Sequence, residues 1–280
     1  MYKTENSLLL KKGFFRNESL TAMPKIVALI PAFDEEKSIG KVVAAIPQPP
    51  VEKIIVVNNN SRDRTAEVAA QAGAQVVFES EPGYGAACLR GIAEAKKLGA
   101  ELVIFLDADH SDYPEEIPAL IAPILAGECD FVIGSRALGE KEKGAMTPQQ
   151  LFGNWLACRL MRLLLGARYS DLGPFRAISM AALEKLQMRD RNYGWTVEMQ
   201  IKAALQHLRV REVPARYRRR IGKSKISGTV KGTVLAGWKI ITTILRYGIF
   251  SRRGAVMPLL GNIFHVMLEA SFLLSSTVPD

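Results

Sequence analysis

Short apolar runs alternating with helix-length stretches constrain this chain more than any other feature. The runs are residues 25–31 (KIVALIP), 53–58 (KIIVVN), 74–79 (AQVVFE), 101–107 (ELVIFLD) and 130–135 (DFVIGS). Between them, helical spacing is predicted over 35–46, 62–72, 85–98 and 115–126; Ile39, Val42, Val43 and Ile46 fall on one face of the first. A strand that is apolar throughout has both faces covered, and strands joined by helices of ten or more residues pair in parallel. The expectation is an α/β fold, a mostly parallel sheet sandwiched by helices. Such sheets bind ligands at the carboxyl ends of their strands. Polar clusters sit there: Asp34-Glu35-Glu36, Asn58-Asn59-Asn60, Asp107-Ala108-Asp109 and Ser135-Arg136.

The second half is less regular. Residues 148–165 read as a helix whose apolar stripe is Trp155, Leu156, Leu160, Leu163 and Leu164. Residues 170–178 read as a loop entering a short strand, 195–207 as a helix, 209–218 as a strand and 229–247 as a long helix. Residues 255–274 are apolar but carry Pro258, Gly261, Asn262, His265 and Glu269. A spanning helix needs about 20 mostly apolar residues, so an in-plane amphipathic helix or a packed terminal helix is expected. Residues 1–23 read as a flexible extension without the cleavage pattern of a secretory signal. The resulting division is 1–23 extension, 24–228 main domain and 229–280 helical, membrane-compatible segment.

Composition removes other classes. With 48% hydrophobic residues the chain is not disordered. Three cysteines without a C-x-x-C pair exclude a disulfide scaffold and a cysteine-only zinc site, and fit a reducing cytosol. The charge is uneven: 37 basic against 28 acidic residues overall, but thirteen Lys/Arg against Glu212 alone within 209–253. A basic segment of this kind is a solvated face, a phosphate site, a surface for anionic membrane, or a nucleic-acid patch. No nucleic-acid motif accompanies it, which puts nucleic acid last.

Asp107 and Asp109 close a strongly apolar strand. Two carboxylates spaced by one small residue at a strand end can both approach a divalent ion, and hard oxygen donors suit Mg²⁺ or Mn²⁺ with substrate phosphates. Helix capping before Pro114 accounts for Ser111 or Asp112 but not for Asp107.

Taken in order, seven segments resemble glycosyltransferase family 2, and within it the dolichyl- and polyprenyl-phosphate sugar synthases. They are Pro31-Ala32-Phe33-Asp34-Glu35-Glu36, Val57-Asn58-Asn59-Asn60-Ser61-Arg62-Asp63-Arg64-Thr65, Gly83-Tyr84-Gly85-Ala86-Ala87, Asp107-Ala108-Asp109, Gly134-Ser135-Arg136, Asp171-Leu172-Gly173-Pro174-Phe175-Arg176 and Gly222-Lys223-Ser224-Lys225. The resemblance spans about residues 24–247 and implies a GT-A fold, a nucleotide diphosphate sugar (UDP or GDP) as donor and a bound Mg²⁺ or Mn²⁺.

Carried over by position, Pro31, Ala32, Phe33 and Glu35 line the nucleoside pocket. Asn58 and Asn59 stand where the family commonly has two acidic residues contacting base and ribose. Gly83 and Gly85 suit close backbone approach to the nucleotide or the start of a helix. Asp107 and Asp109 take the metal positions, with Ser111 where some members have a further Gln. Arg136, Arg218, Arg220, Ser224 and Lys225 match an acceptor-phosphate site, since arginine forks fit phosphate oxygens and lysine adds a point charge. Asp171 is the candidate to orient the donor sugar or act as base, Glu198 to bind a sugar hydroxyl, and Asp109, Asp171 and Arg136 form the expected catalytic set. The implied reaction is an inverting transfer of a hexose to polyprenyl phosphate by a peripheral enzyme at the cytoplasmic face of a membrane. Transfer to a hydroxyl of a sugar, lipid or small metabolite, and a non-catalytic nucleotide-sugar-binding membrane module, are the alternatives.

Overall fold

The computed structural model describes residues 23–222 and 230–251. The expectations for residues 1–22, for Lys223, Ser224 and Lys225, and for 255–274 therefore lie outside the described residues.

Seven strands form one sheet: β1 (Ile26–Ala32), β2 (Lys53–Asn58), β3 (Gln75–Phe78), β4 (Leu102–Phe105), β5 (Phe131–Ser135), β6 (Arg176–Ser179) and β7 (Val210–Pro214), in the order β3-β2-β1-β4-β6-β5-β7. The first four pair in parallel, with Leu29 level with Ile55 and with Phe105. β6 runs antiparallel between β4 and β5, and β7 is parallel to β5. The sheet is thus mostly parallel, as the apolar runs imply, with one reversed strand.

Helices α1 (Ile39–Ala45), α2 (Thr65–Gln71) and α4 (Ile117–Leu125) cover one face. Alternate strand residues decide which side each feeds: Ile26, Ala28 and Ile30 of β1 enter this core, whereas Val27 and Leu29 enter the other. The second face carries α3 (Tyr84–Lys97), α6 (Met180–Leu186) and α7 (Trp195–Leu205).

Helices α5 (Pro148–Leu165) and α8 (Val230–Ser251) form a third layer. Ala157, Met161, Leu164 and Ile244 pack on Val197 and Ile201 of α7. Thr147 opens α5 with a capping box to Gln150, and Gly166 closes it at φ +70°. The stripe expected to bury α5 is only partly inward. Leu164 is buried, but Trp155 and Leu163 are 57% and 68% exposed, beside exposed Leu151 and Phe152. Exposed Val234, Leu235 and Trp238 lie on α8. No described helix is long and apolar enough to cross a membrane.

Candidate active site

The polar clusters meet along the edge formed by the carboxyl ends of β1, β2, β4 and β5. Because β6 is reversed, its entry loop, residues 170–175, arrives at the same edge. That is why Asp171, remote in sequence, joins Arg136.

Asp107 is half-buried and accepts a hydrogen bond from the Tyr84 hydroxyl at 3.2 Å. Its backbone N–H donates to Asp112 Oδ2 at 3.2 Å. Asp109 is 6% exposed; its Oδ1 accepts from the Ser111 N–H at 2.9 Å and hydroxyl at 2.5 Å. Burial, then the charge of Asp109, pushes the Asp107 carboxyl up to about 7, and burial with the Asp107 charge raises Asp112 as well. Two hard-oxygen donors, one raised by burial and the charge of the other despite nearby Arg220 and Arg136, fit an Mg²⁺ or Mn²⁺ ion that draws its other ligands from water and phosphate. Among the described residues, no cluster of three or more His, Cys, Asp and Glu side chains forms a closed cage.

Arg136 follows β5. Its Nε and Nη2 each lie 2.8 Å from an Asp171 oxygen, and its own N–H donates to Asp171 Oδ2 at 2.8 Å. The guanidinium stacks on Tyr217, 5.0 Å from the ring centre. Asp171 also accepts from the Leu172 N–H, and its carbonyl takes the Gln200 amide. Burial alone would raise the Asp171 carboxyl, but Arg136 holds it below its ordinary range. A carboxylate so engaged is a clamp for Arg136 and poorly placed to serve as a base.

The segment after β7 is clipped to the loop after β4. The Arg218 N–H donates to the Ser111 carbonyl at 3.0 Å and the Ile221 N–H to the Asp109 carbonyl at 2.9 Å. Arg218 Nε and Nη2 reach the His110 and Asp112 carbonyls at 2.7 and 3.0 Å, and the guanidinium lies 4.2 Å from the centre of the Tyr113 ring. Arg220 spans two carboxylates: Nη1 is 3.1 Å from Asp109 Oδ2, and Nη2 is 2.9 Å from Glu35 Oε1.

On the proposed nucleoside side, Phe33 is 41% exposed beyond buried Pro31 and Ala32. Glu35 also accepts from the Ser38 hydroxyl at 2.9 Å. Asn59 is occupied within the protein: its amide donates to the Glu79 and Glu81 carbonyls and its Oδ1 accepts from the Gly83 N–H. Asn58 Oδ1 accepts from the Ser61 N–H. Gly83 and Gly85 admit close backbone approach, but what approaches is the chain itself. A Cβ on either would fall 2.1 Å from the Arg191 or Asp190 carbonyl oxygen, and the Ala86 N–H donates to Arg191 O.

Glu198 is likewise drawn inward. It is 3% exposed, accepts the Arg189 and Asp190 N–H groups and pairs with Lys202 at 2.7 Å. This fixes the loop after α6, and a role in binding a sugar hydroxyl gains no support from it.

A 220 Å³ pocket opens between these parts, its wall including Tyr84, Asp107, Arg136, Pro174, Trp195 and Ala236. Arg176 lies just beneath. It is fully buried, reaches the Leu172, Gly173 and Thr196 carbonyls, and burial lowers its pKa to about 10. Through these bonds it ties the Asp171 loop to α7. The sequence reading passed over Tyr84, Trp195, Arg176 and Tyr217 as site residues, although Tyr84 and Arg176 stand inside the quoted segments.

Residues 27–187, more than half of the chain, match the family described as Glycosyl transferase family 2. The chain belongs to glycosyltransferase family 2. As a family 2 glycosyltransferase it is an enzyme of the hexosyltransferase kind. It is 36% identical over 228 residues to an uncharacterised glycosyltransferase of Mycobacterium tuberculosis, covering 78% of this chain and 98% of that one. It is 30% identical over 211 residues to the UDP-N-acetylglucosamine–dolichyl-phosphate N-acetylglucosaminyltransferase of Methanococcus voltae, covering 68% and 84%. Among solved structures, glucosyl-3-phosphoglycerate synthase of M. tuberculosis, crystallised with Mn²⁺, UDP-glucose and phosphoglyceric acid, superposes with a TM-score of 0.65 at 24% identity, over 80% of each chain. That likeness establishes the GT-A fold of this family 2 enzyme.

Proposed function

We propose that this glycosyltransferase moves one hexose from a UDP- or GDP-sugar to a polyprenyl phosphate, with inversion, at a membrane surface. The observation that carries the reading is Arg136: a largely buried guanidinium, locked by Asp171, on the wall of the pocket that also exposes Asp107. Arg136 uses Nε and Nη2 on Asp171, leaving Nη1 to orient a phosphate monoester and neutralise its charge. An ionised phosphate oxygen needs alignment with the anomeric carbon more than it needs a base. As that oxygen bonds to the anomeric carbon, the bond to the diphosphate breaks and its electron pair leaves with the nucleoside diphosphate. Asp107 and Asp109 would hold a divalent ion, which when bound would supply Lewis-acid stabilisation of that leaving group.

Transfer to a hydroxyl requires a true general base. The engagement of Asp171 with Arg136 weighs against that alternative. The membrane part of the reading is supported by the exposed apolar residues of α5 and α8, helices whose sequences contain no Asp or Glu.

The test is incubation with Mn²⁺, labelled UDP- and GDP-sugars and a short polyprenyl phosphate, beside 3-phosphoglycerate and acceptor-free controls. Labelled lipid is the expected product. Transfer to phosphoglycerate with no labelled lipid from any donor overturns the proposal.

A further inference from the structure

Resting on the reading of Asp107 and Asp109 as cation ligands, we propose that Arg220 is an exchangeable counter-ion. It neutralises Asp109 in the metal-free site and moves to a phosphoryl group once a divalent cation takes that carboxylate. Asp109 Oδ1 already accepts two hydrogen bonds from Ser111. Its Oδ2 lies 3.1 Å from Arg220 Nη1, so a cation approaching that oxygen meets the guanidinium first. Two positive groups in contact with one oxygen repel strongly in a partly dry cleft.

Two further features identify the side chain as the part that moves. The backbone on either side of Arg220 is fastened to the aspartate loop, Ile221 N–H to Asp109 O and Arg218 N–H to Ser111 O. The Arg220 guanidinium is also incompletely satisfied: its Nε is buried with no hydrogen-bond partner among the described residues. A phosphoryl group would satisfy that nitrogen, because an arginine fork presents Nε and one Nη together to two phosphate oxygens. Neighbouring Arg218 differs, since both its Nε and Nη2 end on carbonyl oxygens.

Exchange of this kind couples the two ligands. Cation binding frees Arg220, and phosphate capture by Arg220 vacates Asp109, so each favours the other by the same factor. The phosphoryl group belongs either to the donor diphosphate or to an acceptor monophosphate.

The experiment measures Mn²⁺ affinity of the full chain by paramagnetic resonance of free Mn²⁺, with no sugar donor present. Arg220→Gln is expected to bind Mn²⁺ at least about fivefold tighter than the wild type, and Arg218→Gln to match the wild type. At saturating Mn²⁺, Arg220→Gln is expected to lose affinity for UDP or for methyl phosphate, and whichever is lost names the source. If the Gln variant does not fold, Arg220→Lys is expected to shift Mn²⁺ affinity the same way by less, as one ammonium cannot span both carboxylates. Unchanged or weaker Mn²⁺ binding in the Arg220 variants overturns the proposal. So does equal tightening in Arg218→Gln, which would indicate a general field effect, or undiminished affinity for both phosphates. Asp109→Asn separates the failures. If it leaves Mn²⁺ binding intact, the cation-site reading itself falls; if it abolishes binding while Arg220→Gln changes nothing, only the exchange does.

Discussion

Arg136, just after β5, and Asp171, in the loop entering β6, meet in a two-pronged ion pair with both contacts at 2.8 Å, and the same carboxylate accepts the Arg136 backbone N–H. The carboxylate is 1% exposed and the guanidinium 12%. Such a pair fixes where the guanidinium stands relative to the pocket.

Asp171→Asn keeps the shape and removes the charge, leaving a buried arginine unpaired. Loss of a buried partner costs about 3 kcal/mol, read by urea unfolding. The KM for a phosphate acceptor is expected to rise more than kcat falls, because Arg136 loses its fixed position; collapse of kcat with an unchanged KM would instead mark Asp171 as a base. The wild-type pair also sets a pH dependence. The folded carboxyl titrates below its unfolded value of about 3.9, so its contribution is complete above that pH and fades as acid carries the solution through the folded value. Unfolding at pH 7, 5 and 3 should show the wild type losing its advantage over Asp171→Asn only at the acid end.

Asp107→Asn removes one of the two hard-oxygen donors at the end of β4. A ligand that binds only the folded form raises its apparent stability. Thermal shifts with UDP and GDP should therefore be larger with Mn²⁺ than without it in the wild type, and lose that difference in Asp107→Asn. Equal shifts with and without Mn²⁺ in the wild type would contradict a metal role.

Two glycine substitutions separate crowding from strain. Gly99 sits at φ +71° with nothing within 4 Å of an added Cβ, so Gly99→Ala should cost only the left-handed penalty of about 1 kcal/mol. At Gly85 the added atom lands 2.1 Å from the Asp190 carbonyl oxygen. Gly85→Ala must push the 190–194 loop off α3, costing about 3 kcal/mol or more and weakening sugar-donor binding through displaced Trp195. Similar melting temperatures for the two variants would refute this account.

Phe152 and Trp155 form an exposed aromatic pair on α5, centroids 5.9 Å apart, with Arg159 and Arg162 on the next turns. Aromatic side chains settle at the headgroup level of bilayers and basic ones favour anionic lipid. Replacing both aromatics with Ser should reduce sedimentation with phosphatidylglycerol vesicles at least about tenfold while leaving Mn²⁺-dependent nucleotide binding intact. Unchanged sedimentation would remove α5 from the membrane surface.

Most of the apolar runs were legible because a strand buried on both faces has few polar options: β1 is buried at every position, whereas β3, at the sheet edge, is only partly covered. The position of β6 was not, since four residues carry no sign of which neighbours they will separate. On α5, spacing revealed a face but not which way it points. Ala157, Met161 and Leu164 went inside, while Trp155 and Leu163 stayed out. Polar residues at the site divided similarly. Asp107, Asp109 and Arg136 converge as their spacing and strand-end positions allow. Asn59 and Glu198 are polar residues of the same apparent kind, yet their hydrogen bonds go to loops that only the folded chain brings near.

The reversed strand has a consequence for how this enzyme could change. Asp107 lies beyond the end of β4 and Arg136 follows β5, and β6 between the two strands holds them two strand spacings apart, about 9.6 Å. Backbone pairing works here as a ruler, and no point substitution rescales it. Substitutions in the pocket walls can reshape what fits there, but the stride between the ends of β4 and β5 is inherited with the sheet.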